Sequence, residues 1–171
     1  TVLSTKLNVA ATPANKNVSS SHAQFAKKLT GDEDILIIEY GEGAPGDVER
    51  FASITHPTHA VITGVAPAHL DQYKTLEAAG EDIFSVAGYL KGKNVYVNAD
   101  SPDAKPFIKS RHDKFNNKGA LGWKVKKVKV ALEGTSFTLY KGKKSVDLSS
   151  RLVGEHQVGF MAFVAALGLK L

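Results

Sequence analysis

Four short apolar runs, NVAAT, DILIIEY, HAVITGV and NVYVNA, fall within the first hundred residues, with amphipathic stretches between them. This alternation constrains the chain more than any other feature, because strands separated by helical periodicity describe helices packed on a mainly parallel sheet. DILIIEY and HAVITGV are nearly continuous apolar runs, which predicts strands covered on both faces. The intervening periodicity predicts helices at Ser20 to Leu29, Gly46 to Ile54, Thr75 to Leu90 and Pro102 to His112. In the third of these Leu76, Ala79, Ile83, Val86, Ala87 and Leu90 recur at helical spacing and form the stripe that faces the sheet.

The pattern changes after Gly122. WKVKKVKVAL, TSFTLYK and KSVDLSS alternate with period two and are separated by EG and KGKK, which predicts a small antiparallel meander over about 123–150. The last segment, Gly154 to Leu169, is apolar on almost every side and reads as a buried helix. The fold class is therefore α/β, a mainly parallel sheet flanked by helices, with a small antiparallel β meander near the C-terminus. A chain of 171 residues without internal repeat or interdomain linker fits one domain.

Composition removes several function classes. Hydrophobic residues make up 43% and charged residues 23%, the balance of a globular protein rather than a disordered one. No apolar run approaches the roughly 20 residues that span a bilayer, and the first residues do not read as a secretory leader. The expectation is a cytoplasmic protein with no membrane partner. Zero cysteines exclude disulfides, thiolate metal sites and cysteine nucleophiles within this sequence. The net charge of +5 could signal an anionic partner, yet seven of the nineteen lysines flank alternating apolar residues in the meander, where they read as a solvated sheet face with protected edges. Nucleic acid is accordingly not an expected partner.

In open parallel sheets ligands bind beyond the carboxyl ends of the strands, where loops and helix N-termini converge. The residues that follow each run are polar: Pro13, Asn15 and Asn17 after the first, Glu39 and GEGAPGD after the second, APAHLD with His69 and Asp71 after the third, Asn98 and Asp100 after the fourth. Each has a bland alternative. Glu39 is either the start of solvent or a cation ligand behind phosphates. His69 can be a capping or core histidine. Asn15 and Asn17 can close a turn, and Asn98 and Asp100 can form a turn and a helix cap. Their common placement favours a site. His56 and His59, in HPTH, read as structural histidines, since Pro57 breaks the helical spacing a zinc pair would use. A G-x-S-x-G elbow is absent, which disfavours a serine hydrolase.

These stretches, taken in order, resemble the central, ATP-binding domain of the Mur ligases. The nearest branch is the one that adds D-alanyl-D-alanine to the UDP-N-acetylmuramoyl tripeptide. ATPANKN, IIEYGEGAPGDVERF, THAVITGVAPAHLDQYKTLEA, VNAD, GTSFTLY and LVGEHQV are each similar to a segment of that domain, from about Ala10 to Leu169. The resemblance implies a P-loop NTPase-like fold and an ATP-dependent amide ligase of peptidoglycan precursor synthesis, acting through an acyl phosphate. It implies ATP and Mg²⁺ as cofactors, and a UDP-linked muramoyl peptide with an amino acid or dipeptide as substrates. By position Glu39 matches the magnesium-binding glutamate and His69 a second metal ligand. Asn15, Asn17, His156 and Gln157 lie on the nucleotide side, and Asn98 and Asp100 in the substrate-side crevice.

The chain also departs from the family pattern. No G-x-x-x-x-G-K-[ST] loop occurs, the bridging lysine of the helix after His69 is replaced by Ile83, and the family's H-N pair is His156 and Gln157 with Phe160 at a further asparagine position. The expectation is a central domain truncated at its N-terminus, without its phosphate loop and without N- and C-terminal domains, and inactive by itself. A vacant strand position could then support self-association. The alternative is a diverged, non-catalytic binding or scaffold domain with the same fold.

Overall fold

The computed structural model describes residues 2–170, which form nine strands and five α-helices. They divide into two compact units, residues 2–60 with 65–93, and residues 61–64 with 94–170.

In the first unit β1 (Val9–Ala11) and β2 (Ile35–Ile37) pair in parallel, with Val9 opposite Ile35 and Ala11 opposite Ile37. Helix α1 (Ser19–Ala26) makes the crossover between them, the connection that parallel strands require. Helix α2 (Asp47–Thr55) and helix α4 (Leu76–Tyr89) pack together, burying Val48, Phe51 and Ala52 on one and Ala79, Val86 and Ala87 on the other. Helix α4 starts where expected because Thr75 caps it, its hydroxyl accepting the Ala78 N–H at 3.1 Å. A short helix α3 (Leu70–Tyr73) precedes it.

In the second unit seven strands form one mixed sheet in sequential order: β3 (Ala60–Ile62), β4 (Val95–Asn98), β5 (Asp113–Asn116), β6 (Gly119–Ala120), β7 (Trp123–Ala131), β8 (Gly134–Lys141) and β9 (Lys144–Ser150). The β4–β5 pair is parallel and every pair from β5 to β9 is antiparallel. Helix α5 (Val158–Gly168) covers this sheet, and Val158, Ala162, Phe163 and Ala166 join Tyr96, Phe115, Trp123, Phe137 and Leu139 in one core. The Phe115 and Phe163 rings stack at 4.6 Å. The α/β class, the parallel N-terminal strands and the antiparallel meander match the sequence reading.

Two expectations are corrected, and two strands are added. The helix predicted over Pro102 to His112 is a 3₁₀ helix, Pro102–Phe107, because Pro106 cannot donate to an α-helical ladder, and the chain turns into β5 instead. The apolar runs are not covered on both faces: Leu36 and Ile37 of β2 and Val61 of β3 are each more than two-fifths exposed. Strands β5 and β6 carry too little apolar alternation to be read from sequence. Among the described residues β1 has β2 as its single strand neighbour.

Candidate functional site

Glu39 leaves β2 and is held by three segments. Its backbone N–H donates to the Thr12 hydroxyl at 3.0 Å, just beyond β1. Its carbonyl accepts from His22 Nε2 at 2.8 Å, on α1. Its carboxylate Oε1 lies 3.4 Å from the Asn17 amide nitrogen, in the loop between them. The carboxylate nevertheless stays exposed. His22 is 2% exposed, packed edge-on against Phe51 at 5.1 Å, and its Nδ1 is buried without a hydrogen-bond partner among the described residues. With Nε2 facing a carbonyl oxygen, that nitrogen is the donor. It fixes the backbone from which Glu39 projects.

Asn17 closes the arrangement from the other side. Its carbonyl accepts the Gly41 N–H at 2.9 Å, and a side chain at Gly41 would place its Cβ 2.3 Å from the Asn17 amide. Glycine is required here by close approach. Asn15 does something different: at φ 62° it is the left-handed residue of a turn closed by Lys16 N–H to Pro13 carbonyl, 3.0 Å. Of the two asparagines, Asn17 is the one that reaches the carboxylate.

The loop after Glu39 is organised by two aspartates. Asp47 Oδ2 accepts the N–H groups of Gly43 and Ala44, at 3.1 and 2.9 Å. Asp82, 8% exposed on α4, accepts the Gly46 N–H at 2.9 Å and the Tyr73 hydroxyl at 2.6 Å. The same hydroxyl lies 3.0 Å from the Ala44 carbonyl. Burial foremost, then the hydrogen bond to Asp82, pushes the Tyr73 phenol well above its usual pKa, so it acts as a donor. Sequence reading missed Asp82. The available signal was an acid three residues after Ala79 and four before Val86, on the apolar face of its helix.

His69 stands at φ 51° directly before α3, with its carbonyl accepting from Gln72 and Tyr73 N–H at 2.9 and 3.0 Å and its side chain exposed. The segment that carries His69 is thus joined to the loop following Glu39 through Tyr73, Asp82 and Gly46. His56 and His59 are engaged separately, with the Tyr89 and Thr58 hydroxyls.

In the second unit the Asn98 amide donates to the Thr63 carbonyl at 3.0 Å and its oxygen accepts the Asp100 N–H at 3.0 Å. The Asp100 carboxylate accepts the Asn117 N–H at 2.6 Å. Both residues therefore build the turn after β4. His156 is exposed in the 3₁₀ turn Glu155–Gln157 before α5, 3.1 Å from the Gln157 amide. Gly154, at φ 118°, lets that ring fold back over the chain: a Cβ there would lie 2.5 Å from His156 Cε1.

The ordered motifs on this frame match the Mur ligase middle domain over residues 1–168. The chain belongs to the Mur ligase family. This Mur ligase domain is 30% identical to the UDP-N-acetylmuramoyl-tripeptide--D-alanyl-D-alanine ligase of Escherichia coli over 99% of its own length and 39% of the relative's. Among solved structures it resembles MurF from Acinetobacter baumannii, with a TM-score of 0.80 at 17% identity, covering 99% of this chain and 39% of that one. It also resembles the Thermotoga maritima MurF ligase solved in complex with ADP, with a TM-score of 0.74 at 19% identity, covering 99% and 40%. The Mur ligase domain thus spans about two-fifths of the length of the relatives it matches.

Among the described residues no cluster of three or more His, Asp and Glu side chains is placed to hold a metal ion. One exposed carboxylate with an adjoining amide suits Mg²⁺, which is commonly bound by one or two carboxylates with phosphate oxygens and water completing the shell. Glu39 fits that role. Ile83 occupies the helix position at which the family resemblance implied a lysine, and it is partly buried in α4.

Proposed function

We propose that this domain handles ATP within an ATP-dependent amide ligase of peptidoglycan precursor synthesis, a cytoplasmic enzyme acting on a UDP-linked muramoyl peptide and an amino acid or dipeptide. The observation that carries the reading is Glu39: its backbone is held by Thr12 and His22, and its exposed carboxylate is met by the Asn17 amide. A residue that merely begins solvent has no need of such support. Bound ATP with Mg²⁺ would supply the phosphoryl group that activates the substrate carboxylate for attack by an amine. Glu39 would hold the cation, Asn17 would orient Glu39, and His69 would face the same chemistry from the segment after β3. His156 and Gln157 would lie toward the nucleotide base, and Asn98 with Asp100 would shape the substrate side.

Phosphoryl transfer depends on positioning and charge stabilisation, so the 171 residues, which contain no G-K-[ST] phosphate loop, are expected not to catalyse ligation unaided. The test is substrate-dependent ADP release by the intact gene product. Glu39→Ala is expected to lower the rate at least a hundredfold, and an unchanged rate would remove Glu39 from the mechanism.

One observation favours a second reading. Ile83 in place of the lysine leaves the His69 side without a bridging ligand, as in a domain that keeps the fold and has lost the chemistry. Absence of nucleotide binding and of ADP release in the intact product would select that reading.

A further inference from the structure

We propose that the β8–β9 hairpin end and the C-terminal end of α5 form a binding pocket for a small organic phosphate that carries an apolar or aromatic portion. The cavity there measures about 460 Å³, within the range of about 300–1,000 Å³ usual for small-molecule sites. Its apolar lining is Trp123, 9% exposed, with Leu121, Ala166 and the more exposed Leu169. Four lysines also line the cavity, Lys141, Lys143, Lys144 and Lys170, and no carboxylate lines it among the described residues.

The placement of these lysines is not that of a scattered surface. Lys141 and Lys144 lie directly opposite each other across the β8–β9 ladder, and like charges so placed destabilise a strand pair. An anion between them removes that penalty. Lys141 is also anchored, its ammonium donating to the Leu121 carbonyl at 3.2 Å, so one cation is fixed at the cavity wall. Among the described residues, Lys141, Lys143 and Lys144 have no carboxylate partner. The lysines of β7, by contrast, lie along an exposed strand outside the cavity lining: Lys126 sits over the Tyr140 ring at 5.5 Å, and Lys129 pairs across from Ser136. Solvation of an exposed strand accounts for those. It does not account for a cavity lined by a tryptophan and four lysines. An inorganic anion would use the charges and leave the apolar lining idle, whereas an organic phosphate uses both.

This pocket is independent of the ligase reading, and its test leaves Glu39 and nucleotide chemistry untouched. Trp123 is the single tryptophan of the chain, so its emission reports occupancy directly. The chain is titrated with phenyl phosphate, inorganic phosphate, phenol and phosphatidylglycerol vesicles. Phenyl phosphate is expected to change the emission saturably, with an affinity at least tenfold above those of inorganic phosphate and phenol. Lys141→Gln and Lys144→Gln should each weaken it at least tenfold, and Lys129→Gln less than twofold. Lys144→Glu guards against a folding artefact, since it relieves the like-charge pair: its melting temperature should hold or rise while phenyl phosphate binding is lost. A non-saturable response, equal affinity for inorganic phosphate, equal loss in Lys129→Gln, or a response to vesicles alone would overturn the proposal.

Discussion

The Tyr73 hydroxyl donates to the buried carboxylate of Asp82 at 2.6 Å, joining the helix that follows His69 to the helix that packs on α2. Asp82 spends its other oxygen on the Gly46 N–H, so one side chain ties down both the segment after β3 and the loop after β2. A buried carboxylate is tolerated only when its acceptors are used. Here their use fixes the two segments that carry Glu39 and His69.

Asp82→Ala is expected to cost about 3 kcal/mol of folding stability, because it strands the Tyr73 hydroxyl and the Gly46 N–H together. Asp82→Asn keeps one acceptor oxygen and should lose less, and Tyr73→Phe should lose about 1–2 kcal/mol. Urea denaturation of the three variants checks the order. Equal losses for Ala and Asn would show that the carboxylate matters only by volume.

Alkaline stability follows from the same pair. The Tyr73 phenol is raised in the folded protein by burial and by Asp82, and the Tyr40 phenol is raised by burial. The unfolded chain releases these protons near pH 10 while the folded chain retains them, so stability is full below about pH 10 and falls as pH rises above it. Tyr73→Phe should make that fall shallower by one proton, read from unfolding free energy against pH.

At the acid end His112 sets the slope. Burial first, then Arg111, Lys109 and Lys114, lowers its pKa in the folded state, and its Nδ1 accepts the Lys109 N–H at 3.2 Å. The unfolded chain takes up a proton near pH 6.5 that the folded chain declines, so stability falls as pH drops below that value. His112→Asn should flatten the profile between about pH 6.5 and 5. A slope equal to the wild type would assign the acid sensitivity elsewhere.

These groups also mark where sequence reading worked and where it stopped. The meander was legible because β7, β8 and β9 alternate with period two between short turn signals, and α4 because Thr75 and the apolar stripe agree. The strands β5 and β6 were not, since Asp113–Asn116 and Gly119–Ala120 carry little apolar alternation and form only by pairing with neighbours. Leu36 and Ile37 misled because an apolar run does not say whether both faces find cover. At the candidate site the residue types after each strand were visible. The contacts of Asn17 and His22 with Glu39 were not, because they join residues 22 and 17 apart in sequence and depend on the β1–α1–β2 crossover.

That crossover makes a final prediction about Gly41. A Cβ at this position would lie 2.3 Å from the Asn17 amide nitrogen and 2.4 Å from its Cγ, closer than any real contact, while the two backbones are joined by the Gly41 N–H to Asn17 carbonyl bond. Gly41→Ala must therefore either break that bond or turn the Asn17 side chain away from Glu39, at about 1–3 kcal/mol for the overpacking. Asn17→Ala alone removes a long hydrogen bond at a partly exposed site and should cost under about 1 kcal/mol. If steric exclusion is the whole reason for glycine, the double variant opens the space and most of the Gly41→Ala loss disappears. The coupling energy in a double-mutant cycle should then exceed about 1 kcal/mol. Additive losses would instead mean that Gly41 serves the backbone path of the loop and not the placement of Asn17 beside Glu39.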